Sequence, residues 1–395
     1  MSRRLAVLVA ALVAVAATAG PAHAADDAWD IPDGARITIE GHGHGHGRGM
    51  SQYGAKRAAE LGTGYRTIMK HYYPGTSRGK APGSVRIWIT RGDLDNAVQV
   101  RPRNALTARK VGGGPSWRLA KAQPRAKRWR IVPKGDARSV LQFRKGGWRH
   151  FRTVRGLLEF TAQGRPITLD TQGGRSATYR GVLRSVPSSP GNRLTVNRLS
   201  LESYLRGVVP KESIASAWPQ QALRAQAVAA RSYAAYHRAQ RREKVFDLDD
   251  SESSQVYGGS GAEHAATDRA VRGTKAEIRT YDGEPAFTEF TASSGGWTVA
   301  GDHPYLVAQE DRWDDRRDPN HQWQVPFTDG ELEDAWPALG DLSRIEIAGR
   351  DGHGEWGGRA GSVTLTGSDA TLSLTGTAFY QRLGLRSSWL TLHVR

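Results

Sequence analysis

One carboxylate and three imidazoles stand out by residue type and spacing. In YLRGVVPKESIASAWPQQALRAQAVAARSYA, Glu212 follows Val208, Val209 and Pro210 and precedes an alanine-rich stretch. Read as a short apolar strand running into a helix, this puts a carboxyl group at a junction among apolar neighbours. Desolvation there raises a carboxyl pKa, which suits a general acid at neutral pH. The plainer reading is an exposed Glu near a helix start, favoured by the helix dipole. Nearer the N-terminus, GHGHGHGRGMSQYGA runs from Gly41 to Ala55. In an extended chain His42, His44 and His46 point to one face, and three imidazoles make a zinc or copper ligand set. Against that, the intervening glycines make the tract costly to order, about 1–2 kcal/mol per residue. The acidic cluster Glu310, Asp311, Asp314 and Asp315 is another source of a proton donor.

The elements that must position these groups are legible in outline. ARITIE reads as a strand, and MSQYGAKRAAELG as a helix from about Ser51 to Leu61, followed by a second short helix that stops at Pro74-Gly75. From Ser84 to Leu199 short apolar runs alternate with Gly, Pro, Asn and Asp, the pattern of a β-rich module. WPQQALRAQAVAARSYAAYHRAQRR is the clearest helix, with Pro219 at its first turn and basic residues at its end. Its Leu223, Ala227, Ala230 and Ala234 form a narrow face that lets another backbone come close. SVTLTGSDATLSLTG reads as a hairpin, TAFYQRLGL as a short helix and WLTLHV as a last strand.

The chain has 395 residues and no cysteine, which allows two or three domains and excludes disulfides, thiolate metal sites and Cys nucleophiles. MSRRLAVLVAALVAVAATAGPAHA has the basic, apolar and small-x-small regions of a secretory signal peptide cleaved after Ala24. No other stretch approaches the length of a membrane span. The expectation is a secreted protein acting at the cell wall. The formal net charge of +17 is concentrated. Between Lys80 and Arg180 there are 23 Lys and Arg against five Asp and Glu. For an exported chain this suggests anionic wall polymers as partners rather than nucleic acid. The Trp-Arg pairs Trp117-Arg118, Trp129-Arg130 and Trp148-Arg149 either contribute a sugar- or anion-binding face or simply pack.

YLRGVVPKE followed by ALRAQAVAARSYA resembles the family of the stage II sporulation protein D (SpoIID) and the amidase enhancer LytB. SQVYGG at 254–259, AVRGT at 270–274 and ASSGGWT at 292–298 match later family motifs in order, and GHGRGMSQYGA and HYYPGT match two more. The Gly-His-Gly-x-Gly-Met-Ser-Gln motif stands after the catalytic helix in familiar members but before it here. The order is therefore permuted, and Gly41–Thr76 is expected to fold back onto the same site, with His46 in the family position. Lys211-Glu212-Ser213-Ile214 departs from the commoner Glu-Met-Pro or Glu-Ser-Pro.

The resemblance implies an α+β fold, β-rich, with one long catalytic helix and several short ones. It divides the chain into a signal peptide at 1–24, a Gly/His motif segment at 25–79, a basic β-rich module at 80–198 and a catalytic domain at 199–395. It implies a lytic transglycosylase that cleaves between N-acetylmuramic acid and N-acetylglucosamine and leaves 1,6-anhydro ends. Glu212 is the expected acid and base. His46, Ser51, Gln52, Gln226, Arg231, Tyr257, Ser293, Ser294, Gly295 and Gly296 are the expected substrate contacts, with Arg231 on the lactyl carboxylate. Some relatives bind a metal through a Cys and a His before Gln-x-Tyr; DLDDSESSQVYGG has neither, and no metal or cofactor is expected. Peptidoglycan glycan strands are the expected partner. The family also supplies the alternative, a non-catalytic wall-binding modifier of a peptidoglycan amidase, with that amidase as partner.

Overall fold

The computed structural model describes residues 26–94 and 96–395; the leader read in residues 1–24 lies outside them. Its strands pair mostly antiparallel and its helices are separate from them, an α+β architecture. Two compact units divide the chain, residues 41–323 and residues 26–40 with 324–395. These divisions differ from the boundaries drawn at 79/80 and 198/199.

In the larger unit, a seven-stranded sheet has Ser84–Trp88, Asn192–Ser200 and Val182–Ser189 at its centre. A six-stranded sheet runs in the order Gly147–Arg155, Arg138–Lys145, Arg128–Lys134, Val98–Val100, Ile167–Thr171, Arg175–Tyr179. Apolar residues from both, among them Ile87, Leu183, Trp129 and Leu141, join one buried cluster. Trp129 is thus a core residue, Trp117 packs half-buried against the same cluster, and Trp148 lies under Arg130 at 4.1 Å.

The alanine-rich helix spans Gln220–Gln240. Its Ala227, Ala230 and Ala234 face the sheet core, while Leu223, Ala225, Val228 and Ala229 join a second cluster with the helices Gln52–Glu60 and Tyr65–Tyr72. Burial on both sides explains the alanines: small side chains let neighbours approach from two directions at little conformational cost. Leu223 lies in the second cluster and not with the other three.

The smaller unit holds a four-stranded antiparallel sheet in the order Asp27–Asp30, Leu342–Ala348, Ser362–Gly367, Thr371–Thr375, the last two being the expected hairpin. Its helix Asp329–Ala335 starts with a capping box between Thr328 and Glu331.

One local expectation is corrected. Val208 and Val209 belong to a helix, Leu201–Glu212, and not to a strand. Leu201, Tyr204, Leu205 and Val208 are buried at helical spacing. Pro210 sits in the last turn, and the Ser213 hydroxyl ends the helix by donating to the Val209 carbonyl at 2.6 Å.

Candidate functional site

Glu212 is therefore the last residue of a helix. That end carries the negative pole of the backbone dipoles, which disfavours a carboxylate. Burial is the largest effect on the group and raises its pKa above the ordinary carboxylate range; Glu252 adds to the rise. The Val256 N–H, donating to Oε1 at 2.9 Å, pulls the other way, as do Gln52 and Lys211.

Val256 is held in place by its neighbours. Gln255 accepts from the Tyr204 hydroxyl at 3.2 Å, and the Tyr257 hydroxyl donates to Asn197 Oδ1 at 3.0 Å. Gly207 on the Glu212 helix is required for this fit, because a Cβ there would collide with the Tyr257 ring. The sequence motif SQVYGG thus acts through a backbone N–H.

Two cavities meet at Glu212, and both are lined by Gln52, Lys211 and Glu212. One, of about 490 Å³, is walled by Tyr53, Ile214, Trp218 and His264. The other, of about 670 Å³, is walled by His44, His46, Tyr233, Glu252 and Phe290. Glu289 also lines it, held in a two-pronged pair with Arg48 at 2.9 Å on each oxygen.

The Gly/His tract does not form one extended strand. The strand Arg36–His42 ends at the first histidine, and Gly43, Gly45, Gly47 and Gly49 all have positive φ. The one-faced histidine triplet of the metal reading is therefore absent. His42 is buried, with Nδ1 3.0 Å from the His321 carbonyl. His44 Nδ1 is 3.3 Å from Asn320 Oδ1, and His46 Nδ1 accepts from the Arg48 N–H at 3.0 Å. A neutral His46 so held carries its proton on Nε2. The glycines allow close packing: at Gly49 (φ 68°) a Cβ would strike the Glu289 carbonyl. Just beyond, Met50–Ser51 pairs in parallel with Phe290–Thr291.

Of the residues expected at the site, His46 and Gln52 line cavities with Glu212. Ser51 stands behind them, capping the helix Gln52–Glu60 by accepting from the Gly54 N–H at 3.0 Å and donating to Asp314 Oδ2 at 2.9 Å. Ser293 and Ser294 are fully buried and bind the same Asp314, as does the Gly295 N–H at 3.1 Å. Gly295 also packs against Gly43, and the Gly296 carbonyl accepts from the Asp311 N–H at 2.8 Å. These four residues line neither cavity; they knit the tract to its neighbours. Asp311 and Asp314 are buried parts of that network.

Arg231 is wholly buried, bonded to Glu202 at 3.0 and 2.9 Å and to the carbonyls of Val271 and Glu277. It is a packing residue and cannot reach a substrate carboxylate. Tyr257 is buried in its aromatic cluster, and Gln226 is buried in the helix bundle. None of the three lines either cavity. The sequence reading missed Tyr53, which follows Gln52 within the same motif, Trp218, which stands between the two helix motifs, and His264, which carried no signal.

Residues 190–281 match the SpoIID family model, described as stage II sporulation protein. Over 146 residues the chain is 38% identical to an uncharacterized protein of Brachyspira hyodysenteriae, covering 36% of this chain and 39% of that one. It is 33% identical to the amidase enhancer of Bacillus subtilis over 33% of this chain and 17% of that one. It is 29% identical to the stage II sporulation protein D of Bacillus amyloliquefaciens over 54% of this chain and 66% of that one. The chain thus spans less than half the length of the first two.

Proposed function

We propose that this chain, whose residues 190–281 carry the SpoIID domain, is a peptidoglycan lytic transglycosylase with Glu212 as its acid and base. The observation that carries the reading is the position of Glu212: a carboxyl group with a raised pKa where two cavities meet. A glycan strand lying through both cavities would present its scissile bond to that group. Aromatic walls on either side, Tyr53 and Trp218 in one and Tyr233 and Phe290 in the other, suit sugar rings.

Most glycosidases divide acid and base or nucleophile between two carboxyl groups. Here one suffices if the nucleophile is the C6 hydroxyl of the muramic acid residue. Glu212 protonates the glycosidic oxygen, the C1–O bond breaks, and the C6 oxygen bonds to C1. The carboxylate then takes the C6 hydroxyl proton, so no water is consumed. The tethered hydroxyl has already lost the entropy of a separate nucleophile. The Val256 N–H and Gln52 orient the carboxyl group through both stages.

The likeness to a protein named amidase enhancer supports a second reading. On it the cavities hold glycan without cleaving it, and a wall amidase is the partner. Release of soluble fragments from purified peptidoglycan separates the two. The wild-type protein should release them and Glu212→Gln should not, while both bind. Undiminished binding with no release by the wild type favours the enhancer reading.

A further inference from the structure

The three outer strands of the six-stranded sheet, Arg128–Lys134, Arg138–Lys145 and Gly147–Arg155, contain nine Lys and Arg and no Asp or Glu. Their register sorts these charges by face. Trp129, Phe143 and Arg149 stand opposite one another, as do Ile131, Leu141 and Arg152. Trp129, Ile131, Leu141 and Phe143 are in the core. Side chains alternate across a strand, so the other face carries the rows Arg128-Arg144-Trp148, Arg130-Gln142-His150 and Lys134-Arg138-Arg155. Two contacts agree with that assignment: Arg130 lies over the Trp148 ring, and its Nε donates to Gln142 at 2.7 Å. Between the last two of these rows lies an uncharged one, Val132-Val140-Thr153, whose Val140 is buried although outside that core cluster.

Four of the charges on this face are left over once the internal contacts of Arg128 and Arg130 are set aside. Arg128 is held by Asp170 at 2.6 Å. Lys134, Arg138, Arg144 and Arg155 are exposed and take part in no ion pair among the described residues. Mutual repulsion among such a set opposes folding, and neutral polar residues would serve solubility without it. The face is also an ordered one. Strands lie about 4.8 Å apart and same-face residues recur about 6.8 Å along each, so the rows cover roughly 10 by 20 Å.

We infer that this face is a docking surface for a flexible phosphodiester polymer of the wall, separate from the Glu212 cavities. Charge complementarity fixes the sign of the partner. A single flexible chain can bring successive phosphates to cations spaced in both directions. Duplex nucleic acid is read by an element that enters a groove, and these rows lie on a sheet face. Trp148 adds apolar surface beside the cations for the polyol or sugar between phosphates.

The test uses the full-length mature protein and poly(glycerol phosphate) as the probe, with neutral chitooligosaccharide and duplex DNA as comparisons. The wild type should bind the polymer with affinity falling steeply as salt rises, because neutralised phosphates release counterions. The triple variant Arg138→Gln/Arg144→Gln/Arg155→Gln should bind at least about tenfold more weakly at 0.1 M salt, with a shallower salt slope. Its melting temperature should stay at or above that of the wild type, which separates lost binding from lost folding. Equal affinity in the triple variant, salt-insensitive binding, or tighter binding to duplex DNA of equal charge would each overturn the assignment.

Discussion

Gln52 Nε2 donates to Glu212 Oε2 across 3.5 Å, although 160 positions separate the two residues. The contact joins the N-terminal motif segment to the end of the helix Leu201–Glu212. An N–H aimed at the carboxylate stabilises its charged form and so opposes the rise caused by burial. In Gln52→Ala the Glu212 pKa should climb further. A reaction that needs Glu212 protonated would then keep its activity to higher pH, and the basic limb of kcat/KM against pH should shift upward. A bond this long is weak, so kcat should fall about tenfold or less. A downward shift of that limb contradicts the placement.

The carboxyl group of Asp311 is pushed up to about 7, first by burial and then by Asp314. Its folded pKa lies above the unfolded value of about 3.9. The stability it contributes is therefore fully present below about pH 4 and is lost as pH rises through about 7. Asp311→Asn should remove this component. The stability difference between variant and wild type should shift in favour of the variant by on the order of 2–4 kcal/mol between pH 4 and pH 8. Urea denaturation at the two pH values measures it, and a constant difference argues against a buried, proton-binding Asp311.

The pattern of what the sequence revealed has physical causes. The alanine-rich helix was legible because composition, Pro219 and spacing agree. Val208-Val209 looked like a strand because a short apolar run reads alike in strand and helix; only the spacing back to Leu201, Tyr204 and Leu205 distinguishes them. The motif order pointed Gly41–Ala55 at Glu212, but positive-φ glycines break the alternation that would tell which histidine faces where. Arg231, Tyr257, Ser293 and Ser294 have the chemistry of ligand contacts. What they touch depends on partners far off in the chain: Glu202, Asn197 and Asp314.

Arg231→Met should cost about 1–3 kcal/mol in urea denaturation, because it removes the pair with Glu202 and leaves the Val271 and Glu277 carbonyls without their buried donor. Whatever folds should bind glycan with an unchanged KM. A stable variant with a raised KM would return Arg231 to the substrate.

The three histidines should separate by readout. His46→Ala should lower turnover on the order of tenfold, the scale of one lost hydrogen bond, with little change in melting temperature. His44→Ala, in the same cavity but more exposed, should do less. His42→Ala should lower stability by about 1–2 kcal/mol, since it removes a buried ring. A chelator should leave activity unchanged in the wild type. Equal losses in all three variants, together with inactivation by the chelator, would restore the metal reading.

The most direct test is mass spectrometry of glycan strands after incubation with the protein. If Glu212 acts alone on a tethered C6 hydroxyl, the new ends are 1,6-anhydro-muramic acid, with no incorporation of oxygen from labelled water. Glu212→Gln should form them at least about a hundredfold more slowly. New reducing ends carrying labelled oxygen would show that water is the nucleophile and contradict the single-carboxyl account.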